Sequence, residues 1–146
     1  MKKSIIITMV FAFFSTILLQ SANAEDMTIE MLNKRDDGAK MVYSEDIARI
    51  DVGDTITWVP TSKGHNVQFI AGPEGWDLPK KSKNNKEVAI TFDTPGVYLY
   101  QCTPHATMGM IAMVIVGDDM SNLDDIKAMK LRGKLKRKMK ELLSEL

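Results

Sequence analysis

The alternation of apolar and polar residues divides much of the chain into short segments that are typical of β-strands. Alternating runs, or runs of β-branched and aromatic residues, occupy positions 27–33, 49–52, 55–59, 87–92, 97–100 and 113–116. Between them lie turn-forming sequences, namely Gly53-Asp54, Gly72-Pro73, Thr94-Pro95-Gly96 and Gly117-Asp118. Short strands at this spacing, separated by such turns, predict an all-β sandwich or barrel.

The pattern becomes helical after residue 120. Leu123, Ile126 and Met129 share one helical face, and the preceding Ser121-Asn122 is typical of a helix start. After Gly133, a second helix has a basic face opposite an apolar stripe of Leu135, Met139, Leu142, Leu143 and Leu146. A basic amphipathic helix can bind a membrane surface, but this stripe is short and lacks Trp or Phe. We therefore predict two helices, over about residues 121–146, that pack on the body of the protein.

The first 24 residues have the three parts of a secretory signal peptide. Lys2 and Lys3 form a positive start, residues 5–19 are largely apolar, and Ala22-Asn23-Ala24 is a small-x-small cleavage site. A transmembrane anchor is the alternative, but this apolar run is shorter than the ~20 residues that a span needs. We expect cleavage of residues 1–24 and no stable membrane insertion afterwards. The mature chain, residues 25–146, is long enough for a single domain.

The distribution of charge argues against one class of partner. The whole chain has 19 basic and 19 acidic side chains, but residues 25–120 hold 9 basic and 15 acidic ones. Residues 121–146 hold 8 basic and 4 acidic side chains, so an acidic body precedes a basic tail. The basic residues are not interleaved with aromatic residues that could stack on bases, so nucleic-acid binding is not indicated.

The chemistry of the chain is concentrated in one cysteine and two histidines, which are all the residues of these types that it has. Cys102 precedes His105 by three residues, and His65 lies 37 residues before the cysteine. With a nearby methionine, these residues supply the donors of a trigonal His₂Cys copper site with a long axial Met. A lone cysteine also cannot form an internal disulfide. The pattern therefore predicts copper at His65, Cys102 and His105.

Two methionines compete for the axial position. Met108 and Met110 flank Gly109, and a tight turn at this glycine would let only one of them point inward. The spacing alone leaves the choice between them open. Asn66, which follows His65 directly, could tie the two ligand loops together or could simply form a turn.

Zinc is the chemical alternative to copper, but a thioether is a poor zinc ligand and structural zinc sites use four N, S or O donors. If both histidines bind a metal, none remains to act as a general base or proton shuttle. Hydrolytic chemistry is therefore not expected. With three strong ligands and an axial methionine, no coordination position is left for a substrate, so we predict an electron-transfer protein with no catalytic residues.

Several segments together carry a resemblance to a known family. They are Met31-Leu-Asn-Lys34, Val52-Gly-Asp-Thr55, Lys63-Gly-His-Asn66, Thr94-Pro-Gly96, Cys102-Thr-Pro-His105, Met108-Gly-Met110-Ile-Ala112 and Val116-Gly-Asp118 with Asn122-Leu-Asp124. With these segments the chain resembles the cupredoxins, and within that family the pseudoazurins, which are small periplasmic blue-copper electron carriers. The resemblance covers nearly the whole of residues 25–130.

The resemblance implies a cupredoxin-like Greek-key β-sandwich of eight strands with two C-terminal α-helices. It implies one copper ion per chain, cycling between Cu(I) and Cu(II). It makes His65, Cys102, His105 and Met110 the ligands, which selects Met110 over Met108. It also makes His105 the exposed ligand that passes the electron, within an apolar patch.

The resemblance further implies transient docking to redox proteins. Lys34, Lys63, Lys81 and Lys83 would form a basic ring around the patch and meet an acidic acceptor such as a copper nitrite reductase, in denitrification. The chain departs from the family pattern at two places. Ala106-Thr107 stands where the family often has a larger residue, and Gln101 stands where the family often has a lysine.

The function that the sequence favours is thus that of a soluble, monomeric, periplasmic one-electron carrier. The alternative is a periplasmic copper chaperone or store, because the chain is rich in methionine. Its methionines are scattered and do not form Met-x-x-Met runs, which argues against that alternative. A copper oxidase would need further histidines, which the chain does not have.

Overall fold

A computed structural model describes residues 25–146, so the predicted leader 1–24 lies outside the described residues. These described residues form eight strands followed by two helices. The strands are β1 Asp26–Lys34, β2 Lys40–Tyr43, β3 Ile47–Ile50, β4 Thr55–Val59, β5 Gln68–Ala71, β6 Val88–Thr91, β7 Gly96–Gln101 and β8 Ile111–Val116. The helices are α1 Leu123–Ala128 and α2 Gly133–Ser144, and a 3₁₀ turn, Thr103–Met108, connects β7 to β8.

The strands form two four-stranded sheets that face each other. One sheet has the order β2-β1-β4-β6 and the other β3-β8-β7-β5. β1 pairs with β4 in parallel, and so does β3 with β8, whereas the other neighbouring strands are antiparallel. An aromatic cluster fills the space between the sheets, with Trp58 edge-on to Phe69, Phe92 and Tyr100. The expected eight-stranded sandwich with two C-terminal helices is confirmed.

The second sheet is covered on both faces, which explains its sequence. All six residues of β8 are buried, and so are the first five of β7. Alternate residues of these strands enter either the core between the sheets or a second core beneath the helices, formed with Ile126, Met139 and Leu142. Strands buried on both faces read as continuous apolar runs.

The apolar stripe of the second helix therefore packs on the body of the protein, as predicted: Met139 and Leu142 are buried and Leu135 and Leu143 partly buried. Leu146, beyond the end of α2, is 38% exposed. An ion pair between Lys138 Nζ and Asp46 Oδ2 at 2.8 Å also joins α2 to the β2–β3 loop. Among residues 25–146, neither helix has the length and apolar character needed to cross a membrane.

Two strands were not predicted, and one lies at a shifted position. β2 contains Met41 at φ 51°, and β5 has an irregular register between Phe69 and Ala71, so neither shows a clean alternation. Both have only four residues. β3 occupies Ile47–Ile50 instead of 49–52, because its inward-facing residues, Ala48 and Ile50, belong to the parallel pairing with β8.

Asn122 has a different role from the helix cap that the sequence suggested. Its side chain makes no capping bond to α1. Instead, Asn122 Oδ1 accepts a hydrogen bond from Val97 N at 2.8 Å, and Asn122 Nδ2 donates to Val97 O at 2.8 Å. β5 pairs with β7 only from Leu99 onward, so this edge of β7 has no strand beside Val97. The amide of Asn122 takes the place of that missing strand.

Candidate metal centre

The two histidines and the cysteine meet at one end of the sandwich. His65 lies in the β4–β5 loop, Cys102 directly follows β7, and His105 lies in the 3₁₀ turn. Cys102 Sγ is 3.6 Å from His65 Nδ1 and 3.5 Å from His105 Nδ1, and the two Nδ1 atoms are 3.1 Å apart. His65 and Cys102 are fully buried, whereas His105 is half-buried. The structure thus brings together the three residues that the sequence selected.

The spacing of these three atoms fits a single transition-metal ion. The point equidistant from the two Nδ1 atoms and the sulfur lies about 2 Å from each of them. Metal–imidazole bonds of zinc measure about 2.0–2.1 Å and zinc–thiolate bonds about 2.3 Å, so an ion of similar size fits between these donors. A thiolate together with imidazoles is a donor set that suits copper.

Backbone hydrogen bonds hold the loop that carries Cys102 and His105. Cys102 N donates to Met110 O at 3.0 Å, and His105 N donates to Cys102 O at 3.1 Å. Pro104 stands in the first turn of the 3₁₀ segment, where a missing N–H has no cost. Gly109 ends the turn at φ 89°, and a Cβ there would lie 3.3 Å from the backbone oxygen of Lys134. The loop is therefore closed onto itself and against α2.

The turn at Gly109 separates the two candidate axial methionines. Met108 is 45% exposed, whereas Met110 is 1% exposed and belongs to the same buried cluster as Cys102. Because Met110 O accepts the bond from Cys102 N, the backbone also holds Met110 beside the cysteine. These observations favour Met110 as the axial residue.

A residue that the sequence analysis did not single out orients His65. Asn33, near the end of β1, has its Oδ1 2.8 Å from His65 Nε2. Since a carbonyl oxygen only accepts hydrogen bonds, Nε2 carries the proton and the Nδ1 lone pair is directed toward Cys102. Such an outer partner fixes the tautomer and the ring orientation of a metal-binding histidine. Asn33 lay within a segment of family resemblance, which was the only signal that could have indicated it.

Asn66 ties the two ligand loops together, which confirms the first of its two predicted roles. Asn66 Oδ1 accepts a hydrogen bond from Thr103 N at 2.8 Å, directly after Cys102. Tyr43 supports the same loop from the core, because its hydroxyl donates to Asn66 O at 2.9 Å. Tyr43 was not foreseen, since β2 itself was missed. The His65 loop is thus held by the loop that carries Cys102 and His105 and by Tyr43 of β2.

The surroundings change the protonation of two donors. Burial, and secondarily the charge of His105, lowers the pKa of His65, which favours the neutral imidazole that binds metal. Burial raises the pKa of the Cys102 thiol, while the backbone N–H groups of Asn66 and His105 act in the opposite direction. A bound cation of this kind deprotonates a coordinating thiol outright.

A two-sheet β-sandwich that directs one thiol and two imidazoles to a common point defines the class of small blue-copper proteins. A family model described as "Copper binding proteins, plastocyanin/azurin family" matches residues 29–117. The chain belongs to this family, the cupredoxins, and within it to the pseudoazurins. Members of the family bind one copper ion and are electron-transfer proteins, not enzymes.

The relatives support this assignment over most of the chain. A putative pseudoazurin of Rhizobium leguminosarum bv. viciae is 41% identical over 129 residues, which cover 86% of this chain and 83% of the relative. The pseudoazurin of Paracoccus pantotrophus is 42% identical over 119 residues, covering 80% and 81%. The crystal structure of pseudoazurin from Methylobacterium extorquens AM1 superposes with a TM-score of 0.76 at 36% identity, covering 83% of this chain and 98% of that one.

The axial assignment can be tested by exchanging each methionine for leucine. We expect Met110→Leu to retain copper and its strong visible band but to raise the reduction potential, because a lost thioether donor disfavours Cu(II). Met108→Leu should leave the potential unchanged, since this side chain is 45% exposed to solvent. Cyclic voltammetry of both variants makes the comparison. A shift at Met108 and none at Met110 would reverse the assignment.

Proposed function

We propose that this blue-copper electron carrier works in the periplasm as a monomeric one-electron carrier whose ligands are His65, Cys102, His105 and Met110. The observation that carries the ligand assignment is the convergence of the sulfur and both Nδ1 atoms within 3.1–3.6 Å. Copper held there supplies a one-electron couple between Cu(I) and Cu(II). The periplasmic location rests on the leader predicted from residues 1–24.

The protein around the site restricts what can reach it. His65, Cys102 and Met110 are buried, so their side chains close the site on the inner side. His105 is half-buried, and it lies next to Gly64, where a Cβ would be 3.8 Å from His105 Cε1. The ring edge of His105 is therefore the shortest route between the site and a partner. This arrangement supports electron transfer through His105 and leaves no room for a substrate.

The alternative function, a copper chaperone or store, receives less support. Metal exchange between proteins needs exposed sulfur ligands, whereas Cys102 and Met110 are at most 1% exposed. Within residues 25–146, the three-residue group of His65, Cys102 and His105 is the one cluster of His, Cys, Asp or Glu that could hold a metal ion. A single buried site suits a carrier that keeps its ion.

Four exposed lysines support the proposed docking ring. Lys34 follows Asn33, which contacts His65, and Lys63 precedes His65 by two residues. Lys81 and Lys83 flank Ser82, whose backbone and hydroxyl bond to Val67 two residues after His65. All four lysines therefore lie on segments that surround the site: Lys34 at the end of β1, and the other three in loops bonded to or containing His65. We propose that they orient an acidic electron acceptor of the nitrite-reductase type toward His105.

Charge reversal tests this docking face. We expect Lys63→Glu combined with Lys81→Glu to slow second-order reduction of a copper nitrite reductase by ~10-fold at low salt, because steering by complementary charge acts on the association rate. The loss should shrink at high salt, since the Debye length falls from ~10 Å at 0.1 M to ~3 Å at 1 M. Stopped-flow absorbance at several salt concentrations measures both effects.

The tail helix provides the matched control. Lys136→Glu with Lys140→Glu changes the net charge equally, and both side chains are exposed. Neither lines the groove beside Met108, which Lys134, Arg137 and Lys138 do line. This control should leave the rate nearly unchanged. An equal loss from both pairs would show that net charge governs the encounter and would remove the proposed docking face.

A further inference from the structure

Asp54 holds the backbone nitrogen at which the mature chain would begin. This aspartate directly precedes β4 and is 5% exposed. Its Oδ1 accepts a hydrogen bond from Glu25 N at 2.8 Å, and its Oδ2 accepts one from Asp51 N at 2.9 Å. β1 starts at the next residue, Asp26, which pairs with Thr55. A buried carboxylate thus fixes the first residue before the sandwich begins.

The surroundings of this contact carry an excess of negative charge. Two adjoining hollows in this region are lined by Glu25, Asp26, Asp51, Asp54 and Asp118, with Arg49 as the one basic group among the lining residues. Arg49 already forms a 3.4 Å ion pair with Asp118. Asp54 therefore has backbone N–H donors but no cationic side chain among its hydrogen-bonding partners in the described part of the chain.

Cleavage after Ala24 would change the chemistry of this nitrogen. Hydrolysis breaks the Ala24–Glu25 peptide bond with one water, Ala24 leaves with a carboxylate, and the nitrogen of Glu25 takes up a proton to become an ammonium group. An amide N–H then becomes a cation at the same atom, 2.8 Å from Asp54 Oδ1 in the uncleaved chain. Charge-assisted hydrogen bonds are shorter and roughly twice as strong as neutral ones.

We propose that Asp54 and the acidic hollow around it bind the α-ammonium group of Glu25 that export processing creates, so that the mature fold contains an ion pair that the precursor lacks. The proposal rests on the export step of the proposed function. It links removal of the leader to stability, because the processed chain has a higher folding stability than the chain that keeps the leader. The contact lies near the start of β1, about 25 Å along the strand from Asn33 at the metal site.

The charges around the α-ammonium group determine how its contribution to folding stability changes with pH. Glu25, Asp26, Asp51, Asp54 and Asp118 favour the charged amine and Arg49 opposes it, so the folded-state pKa of the amine rises above the ~7.7–8.0 of an unfolded chain. A raised pKa adds stability that is complete below the unfolded value and is lost as the pH rises through the folded one. The contribution is therefore present at pH 6.5 and absent well above the folded pKa, near pH 11.

The test compares copper-loaded protein that starts at Glu25 with the same protein that keeps Ala24 as its first residue. In the extended chain the nitrogen of Glu25 is an amide again, and no side chain of the fold has changed. We expect the extension to increase the unfolding equilibrium constant ~10-fold at pH 6.5, the factor that corresponds to a one-unit pKa shift. The difference should disappear near pH 11. Urea denaturation followed by tryptophan fluorescence measures both values.

Asp54→Asn completes a double-mutant cycle, because it keeps an oxygen acceptor for Glu25 N but removes the charge. In the Asp54→Asn background, the extension should then change the unfolding equilibrium constant at pH 6.5 by less than twofold. An equal effect of the extension in both backgrounds, or equal stability of the two parent chains, would overturn the proposal. The extension alone remains decisive if Asp54→Asn does not fold. The visible copper band should be the same in every folded variant, which reports on the metal site separately.

N-terminal sequencing of the protein isolated from cells separates this inference from the proposed function. A mature chain that begins at Glu25 supports both the export step and the ion pair. A chain that begins elsewhere would overturn the claim that processing creates the pair, while the copper site and the electron-carrier role would stand.

Discussion

Cys102→Ser abolishes the intense visible absorption of the copper(II)-loaded protein, and we expect this to be the largest effect of any single substitution at the site. The band of a blue-copper site arises from charge transfer between a thiolate and the metal, and Cys102 is the only cysteine in the chain. A serine hydroxyl cannot supply a soft, easily oxidised donor. Absorption spectroscopy after addition of Cu(II) measures the loss.

The fold should survive this change, because serine is smaller than cysteine and the loop is held by its backbone bonds. Far-UV circular dichroism checks this point. His65→Ala serves as a comparison that keeps the thiolate: it should retain a charge-transfer band, but with an altered spectrum, because one imidazole is missing. A strong, unchanged band in Cys102→Ser would mean that the metal site lies elsewhere.

Asn122→Ala should cause the largest loss of stability among the substitutions considered. The side chain of Asn122 satisfies both the N–H and the C=O of Val97, and all of these groups are buried. Truncation leaves both backbone groups without a partner, and each such group costs ~1–3 kcal/mol. We therefore expect the free energy of unfolding to fall by ~2–6 kcal/mol, measured by urea denaturation.

Ser121→Ala is the matched control. Ser121 is exposed, and its backbone N–H, which alanine keeps, donates to Asp119 Oδ1 at 2.7 Å. Stability should then change by less than ~0.5 kcal/mol, as for most surface substitutions. The copper spectrum should be unaffected in both variants, since Val97 and Cys102 lie at opposite ends of β7. A small effect of Asn122→Ala would indicate that water replaces the amide at this edge.

The sequence predicted those parts of the fold in which one pattern dominates. β1, β4, β7 and β8 were recognised because burial on one or both faces leaves a continuous signal over five or more residues. The helix start at Leu123 and the division at Gly133 were also recognised. β2 and β5 were missed because a positive φ at Met41 and an irregular register after Phe69 interrupt the alternation.

The sequence predicted those site residues that are close together along the chain or belong to rare residue types. Cys102 and His105 are three residues apart, and the scarcity of cysteine and histidine drew attention to His65. The choice between Met108 and Met110 depends on the turn at Gly109, which residue spacing does not determine. Asn33 and Tyr43 reach the His65 loop from distant strands. Contacts of this kind leave no periodic trace in the sequence.

The burial of β7 and β8 on both faces has a consequence for motion near the metal. Local opening of a folded protein follows the number of buried apolar contacts, and the least stable segments open most often. β7 and β8 lie inside two cores at once, whereas β2 and β6 are edge strands with a single covered face. The nine-residue stretch that joins β7 to β8, residues 102–110, holds Cys102, His105 and Met110. We therefore expect the amide protons of β7 and β8, on either side of this stretch, to exchange with solvent only when the whole molecule unfolds, and those of the edge strands β2 and β6 to exchange through local fluctuations.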